Sequence, residues 1–172
     1  MASPSVAEHA ASAIRFDDLV EAHQAMVFSI AYHFLHDRAA AEEVAQDAFL
    51  QLYFHLDEIH SPEHIVFWLR RVTANRCIDE ARRRQRRKEI SIEAAGDPAS
   101  TAHREEWINV RLRRLVASLP KKLRMMVVLR YQEDLEPMEI ASLLDMPVNT
   151  VKSQLQRGLR LLREKTGVGK KE

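Results

Sequence analysis

Apolar residues recur at three- and four-residue steps along most of this chain, a period that commits it to amphipathic helices packed on one another. Phe16, Leu19, Val20, His23, Val27, Ile30, Ala31 and Phe34 predict a helix over 16–35. Asp37 can cap the next, over 38–56, whose stripe is Ala41, Val44, Ala45, Ala48, Phe49, Leu52, Tyr53 and Leu56. Ser61-Pro62-Glu63 joins a capping hydroxyl, a proline suited to the first helical position and an acid for the first turn. It opens a third helix carrying Ile65, Trp68, Leu69 and Val72, which continues through an arginine run to about Arg87. Neither half shows the two-residue alternation of a sheet, and glycine is rare, 4 in 172 residues. The expected fold is all-α.

The period breaks over residues 89–103, where Gly96, Asp97, Pro98 and several small residues read as a flexible linker. Stretched out, such a segment reaches roughly 50 Å, enough for two domains to engage separate sites on one partner. Beyond it, Trp107, Val110, Leu112, Leu115, Val116 and Leu119 mark a fourth helix ending before Pro120. Leu123, Met126, Val127 and Arg130 mark a fifth. The expected organisation is therefore two small helical domains, an N-terminal bundle at 16–88 and a C-terminal domain at 104–166. A disordered N-terminus (1–15) and a short tail (167–172) flank them.

The last third carries the sharpest motif. Pro137 to Leu144 predicts a short helix with Ile140, Ala141 and Leu144 on one face, and Asp145-Met146-Pro147 predicts a turn. A longer helix follows from Val148 to about Lys165, with Val151, Leu155, Leu159 and Leu162 inward. That is the helix-turn-helix pattern, whose second helix enters the major groove. Its outer face presents Asn149, Thr150, Lys152, Ser153, Gln156, Arg157 and Arg160. Amides, hydroxyls and guanidinium groups supply the donors and acceptors that match base edges and phosphates.

Charge is partitioned along the chain. Residues 1–69 hold 11 acidic and 2 basic residues, residues 70–88 hold 9 basic and 2 acidic, and residues 104–172 hold 15 basic and 9 acidic. The acidic front suits a protein partner, and the two basic blocks suit a polyanion. A single cysteine, Cys77, excludes an internal disulfide and a cysteine-based zinc site, which fits a reducing cytoplasm. It could be a redox sensor or simply a buried residue of an apolar helix face. His60 and His64 have no suitably spaced metal-ligating partner. No phosphate-cradling glycine loop, carboxylate cluster or nucleophile–base pair is recognisable, so neither an enzyme nor a cofactor is expected. No apolar run approaches a membrane span, and Met1 to Ala13 lacks the basic leader and apolar core of an export signal. Two readings remain on these grounds: a stand-alone helix-turn-helix regulator, and a DNA-binding subunit of a larger machine.

Particular motifs separate them. Leu119-Pro120, Val127-Val128-Leu129-Arg130-Tyr131, Glu139-Ile140-Ala141 and Pro147-Val148-Asn149-Thr150-Val151-Lys152-Ser153 resemble the region-four domain of the extracytoplasmic-function (ECF) type RNA polymerase sigma factors. Ala41-Glu42-Glu43-Val44-Ala45-Gln46-Asp47-Ala48-Phe49-Leu50 resembles the family's polymerase-binding helix. Trp68-Leu69-Arg70-Arg71-Val72, with Asn75, Asp79 and the arginine run, resembles its promoter-melting helix. The resemblance covers about 16–166. It departs from the family at Asp145, where glycine is usual, and at Glu136, where a serine cap is usual.

That resemblance implies three surfaces. Glu43, Gln46, Asp47 and Tyr53 would meet core polymerase. The third helix and the loop before it (Asp57 to His64, including His60) would hold the opened minus-ten strand. There Asn75, Arg76 and Asp79 face bases and phosphates, and Arg82, Arg83, Arg86 and Arg87 form a phosphate track. Lys152, Ser153, Gln156 and Arg157, supported by Asn149, Thr150 and Arg160, would read the duplex minus-thirty-five element. The resemblance further implies an anti-sigma factor as a partner, while Trp68, at core spacing with Ile65 and Val72, reads as mainly structural.

Overall fold

The computed structural model describes residues 16–59, 61–90 and 104–166, with the backbone alone described at 88–90 and 104–109. His60, the N-terminal segment, residues 91–103 of the expected linker and the tail lie outside the described residues. Seven α-helices follow in order: α1 (Phe16–Leu35), α2 (Arg38–His55), α3 (Pro62–Ile90), α4 (Arg104–Ala117), α5 (Lys121–Tyr131), α6 (Pro137–Leu144) and α7 (Val148–Thr166). A single 3₁₀ turn, Leu56–Glu58, prolongs α2, and the described residues contain no strand. The third helix runs to Ile90, past the expected Arg87, because the arginine-rich stretch holds no residue that disfavours helix.

Local chemistry explains the joints. His36 ends α1 with a left-handed backbone (φ 53°), and its amide donates to the Tyr32 carbonyl at 2.8 Å. The Asp37 carboxylate then accepts the Ala40 amide at 3.0 Å, capping α2. The Ser61 hydroxyl accepts the His64 amide at 3.2 Å where α3 begins. At the start of α6 the Glu139 carboxylate reaches back to the Glu136 amide at 2.7 Å. Glu136 is thus supported from inside the helix although it is not a serine. Asp145 ends α6 in the left-handed region (φ 53°), the conformation that its position requires.

Helices α1, α2 and α3 form a bundle around Leu19, Val27, Ala48, Phe49, Leu52, Ile65 and Leu69, with Trp68 and Val72 packed on its margin. Trp68 lies against His55, with ring centroids 5.8 Å apart. Helices α5, α6 and α7 surround Leu123, Met126, Ile140, Ala141, Val151 and Leu155. Gly158 lets α7 approach α5, since a Cβ there would stand 3.0 Å from Leu123 Cδ1 and 3.5 Å from Val127 Cγ2. The two units also share apolar surface. Ile30, Ala31 and Phe34 of α1 and Ala74, Cys77, Ile78 and Ala81 of α3 join the same buried cluster as Leu119, Met125 and Val128.

Candidate nucleic-acid interface

Helix α3 places its charged residues by its 3.6-residue period. Asn75, Asp79, Arg82 and Arg86 share one ridge, and Arg76, Arg83 and Arg87 the neighbouring one. All are exposed except the half-buried Arg76. Glu80 and Arg84 turn the other way. The Glu80 carboxylate is buried and receives Arg84 Nε at 2.9 Å and Arg83 at 3.1 Å, while the other arm of Arg84 reaches Asp37 at 3.0 Å. A buried carboxylate must be paired in this way. The arginine run therefore divides: Arg84 ties α3 to the cap of α2, Arg83 is shared between Glu80 and solvent, and Arg82 pairs with Asp79 at 3.2 Å. The sequence reading missed Glu80 and Arg84, although an acid three and four residues before arginines is a visible pairing signal.

The outer face of α7 carries Asn149, Lys152, Ser153, Gln156, Arg157 and Arg160 exposed to solvent, with Thr150 half-buried. Val151, Leu155 and Gly158 point inward, a face in which glycine continues the apolar stripe. Ser153 Oγ donates to the Thr150 carbonyl at 3.0 Å, so its lone pairs are left to accept from a ligand. Arg160 lies 3.9 Å from Glu164 across the exposed surface. In front of α6, Arg130 donates to the Leu135 carbonyl at 3.1 Å and to Glu136 at 2.9 Å. It braces the turn that sets the angle of the motif.

On the far side of the N-terminal bundle, α1 and α2 border a groove of about 610 Å³ lined by Phe16, Val20, Phe28, Gln46, Leu50 and Tyr53, among others. Leu50, Tyr53 and Phe54 are 55%, 59% and 71% exposed, a concentration of bare apolar surface on one helix. Tyr53, expected in the inward stripe, stands outside it with its ring edge-on to Phe16 at 5.4 Å. Gln46 lines the groove, whereas Glu43 and Asp47 occupy the next ridge of α2. Leu50 and Phe54 were not singled out from sequence, and their signal was their place outside the core stripe. Among the described residues, no cluster of histidine, cysteine and acidic groups could hold a metal ion. No described helix is long and apolar enough to cross a membrane.

Comparison with known proteins gives this geometry its setting. The family description Sigma-70 region 2 matches residues 19–87, and Sigma-70, region 4 matches residues 109–162. The RNA polymerase sigma-H factor of Pseudomonas aeruginosa is 30% identical over 83% of this chain and 81% of its own length. The ECF RNA polymerase sigma-E factor of Escherichia coli is likewise 30% identical, over 67% of this chain and 68% of its own. The chain belongs to the ECF RNA polymerase sigma factors. This sigma factor is also 28% identical to SigW of Bacillus subtilis over 87% of each chain. Its fold matches RpoE of Bartonella quintana, solved with the anti-sigma factor NepR, at a TM-score of 0.68, 17% identity and coverage of 90% and 98%. It matches CnrH, solved with the cytosolic domain of CnrY, at 0.68, 21% identity and 95% of each chain. The family is not a class of catalysts.

Proposed function

We propose that this chain binds bacterial core RNA polymerase, directs it to promoters with distinct minus-ten and minus-thirty-five elements, and promotes DNA opening. One observation carries the reading: three surfaces of different chemistry occupy three separate faces. The apolar groove of α1 and α2, lined by Gln46 and Tyr53, and the adjoining α2 ridge of Glu43 and Asp47 are suited to a protein, and their acids disfavour DNA. The α3 ridges of Asn75, Arg76, Asp79, Arg82, Arg83, Arg86 and Arg87 offer base contacts beside phosphate neutralisation, as an unpaired strand requires; His60, outside the described residues, is proposed for the same strand from the sequence alone. The α7 face of Asn149, Thr150, Lys152, Ser153, Gln156, Arg157 and Arg160 suits a duplex major groove.

The working units are residues 16–88 and 104–166, joined by 89–103. The chain acts in the cytoplasm, has no catalytic activity of its own, requires no cofactor or metal, and is held in check by an anti-sigma factor. Run-off transcription with purified core polymerase on a genomic promoter library tests the reading. Specific transcripts are expected only when both proteins are present. Tight binding of the isolated chain to duplex promoter, without polymerase-dependent transcripts, would identify a stand-alone regulator instead.

A further inference from the structure

Helices α1, α4, α5 and α7 border a cavity of about 250 Å³ that the function proposed above does not use. Its walls are mostly apolar: Leu112 and Val116 of α4, Val127 and Val128 of α5, and Leu159 and Leu162 of α7. Only His33 and His36 come from α1, so the cavity belongs largely to the C-terminal unit. Two of the lining side chains are bare, Leu112 at 50% and Tyr131 at 52% exposure. Exposed apolar side chains that converge on one concavity gain by being covered, and a concavity with a few polar groups among apolar walls is the usual form of a small-molecule site.

The polar groups favour one sign of charge. His33, His36, Arg113 and Gln132 line the cavity, and none of the described lining residues is acidic. Gln132 and His33 meet amide to ring at 2.9 Å. The His36 ring differs, because both of its nitrogens are buried and neither has a hydrogen-bond partner. A buried polar atom left without a partner is costly and calls for an explanation. The χ2 torsion of a histidine is soft, so a turn of the ring can present one nitrogen to the cavity. The field there is positive. Burial foremost, then Arg124, His33 and Arg113, push the pKa of His36 down to about 4, so near neutrality the ring is uncharged and has one N–H to donate. His33 is lowered in the same sense, by burial and then by Arg113. An anion seated here would meet both a donor and positive charge.

Size narrows the choice of anion. At ~30 Å³ for each water molecule the cavity holds roughly eight water-sized groups, about the bulk of an eight-carbon chain. A helix of a protein partner, ~10–12 Å across with its side chains, is too wide for it. We propose that this cavity is a binding site for a small monocarboxylate with an apolar body. The body lies among Leu112, Leu159 and Leu162, and the carboxylate faces His36 and Arg113.

Methyl NMR spectra of the full chain near neutrality, titrated with octanoate, test the site, and octanamide serves as the uncharged control of equal length. For a ligand of about ten non-hydrogen atoms at ordinary efficiency, a dissociation constant of roughly 1–10 mM is expected. Saturable shifts should appear at the methyls of Leu112, Leu159 and Leu162, with octanamide bound about 10-fold more weakly for want of charge-assisted contacts. Arg113→Gln should remove most of that preference while leaving octanamide binding unchanged. His36→Asn, which tolerates the left-handed backbone, should also weaken octanoate more than octanamide. Leu112→Glu sets a carboxylate at a half-exposed position and should weaken octanoate at least about 10-fold. The spread of amide signals checks that all three variants remain folded. Absence of saturable shifts well above the expected range, shifts centred instead on the α1–α2 groove, or equal affinity for octanoate and octanamide would overturn the proposal. Neither polymerase nor DNA enters the measurement, so its outcome is independent of the transcription assay.

Discussion

Tyr53 offers the most direct test of the groove proposed to dock on polymerase. The residue is 59% exposed, and its ring is steadied at the rim by Phe16. A tyrosine carries about 200 Å² of surface that can be buried, so its bare share amounts to roughly 120 Å². At about 25 cal/mol per Å², complete coverage by a partner would contribute roughly 3 kcal/mol. Partial coverage and the ordering of side chains at an interface reduce that figure. Tyr53→Ala is therefore expected to weaken binding to core polymerase ~10–100-fold. Tyr53→Phe keeps the covered area and loses only the hydroxyl, so it should bind nearly as wild type. Fluorescence anisotropy of labelled chain titrated with core polymerase at fixed salt measures both. Urea melts should show the two variants folded, with midpoints close to wild type, because this ring is outside the buried core. Equal affinity of Tyr53→Ala and wild type would refute the assignment of this groove.

On the recognition helix, Gln156→Ala should cost ~1–3 kcal/mol on a matched promoter and little on a scrambled one, as for loss of a base contact. Arg160→Ala should instead weaken all sequences alike and reduce the salt slope of binding by about 1, measured by titration across salt concentrations. Asp37→Ala should destabilise the fold by about 1 kcal/mol in urea melts through loss of the α2 cap, whereas Asp37→Asn retains a capping acceptor and should cost less. The Ala40 amide first, then Arg84, hold the Asp37 carboxyl below the usual carboxylate range. Its charge-dependent contribution is present above the unfolded value and lost as pH falls through the folded one, so wild type and Asp37→Asn should converge in strong acid. Cys77 is buried, and burial pushes its thiol up. A thiol reagent should leave the native chain unlabelled and modify it promptly in urea; rapid native labelling would contradict the packing.

Much of the architecture was legible because periodicity reports one face of each helix directly. The stripe from Phe16 to Phe34, the Asp37 cap and the Pro137 and Val148 starts all rest on local rules, and each appears where those rules place it. What remained hidden depends on pairs distant in sequence. Arg84 looks like any other member of an arginine run until Asp37, 47 positions earlier, is brought beside it. Leu112 carries the apolar signature of its helix yet stands half-exposed, because α4 packs only lightly on its neighbours. Tyr53 fits a core stripe by spacing yet stands outside the core, with its ring edge-on to Phe16 of α1. The contact of Arg124 of α5 with the Phe34 ring of α1, 5.2 Å to the centroid, is likewise invisible in either half alone, since each half supplies one side of it.

The bridge from Arg84 to both Glu80 and Asp37 has a geometric consequence for initiation. It fastens the arginine-bearing helix to the N-terminal cap of the helix that borders the apolar groove, and so couples the placement of the two faces. Under the function proposed above, such a bundle acts as a gauge: with polymerase on one face, the bridge sets the reach of the other along the opened strand. Loosening that gauge by Arg84→Ala would blur the nucleotide at which RNA synthesis begins, giving scattered 5′ ends from a promoter that is still recognised.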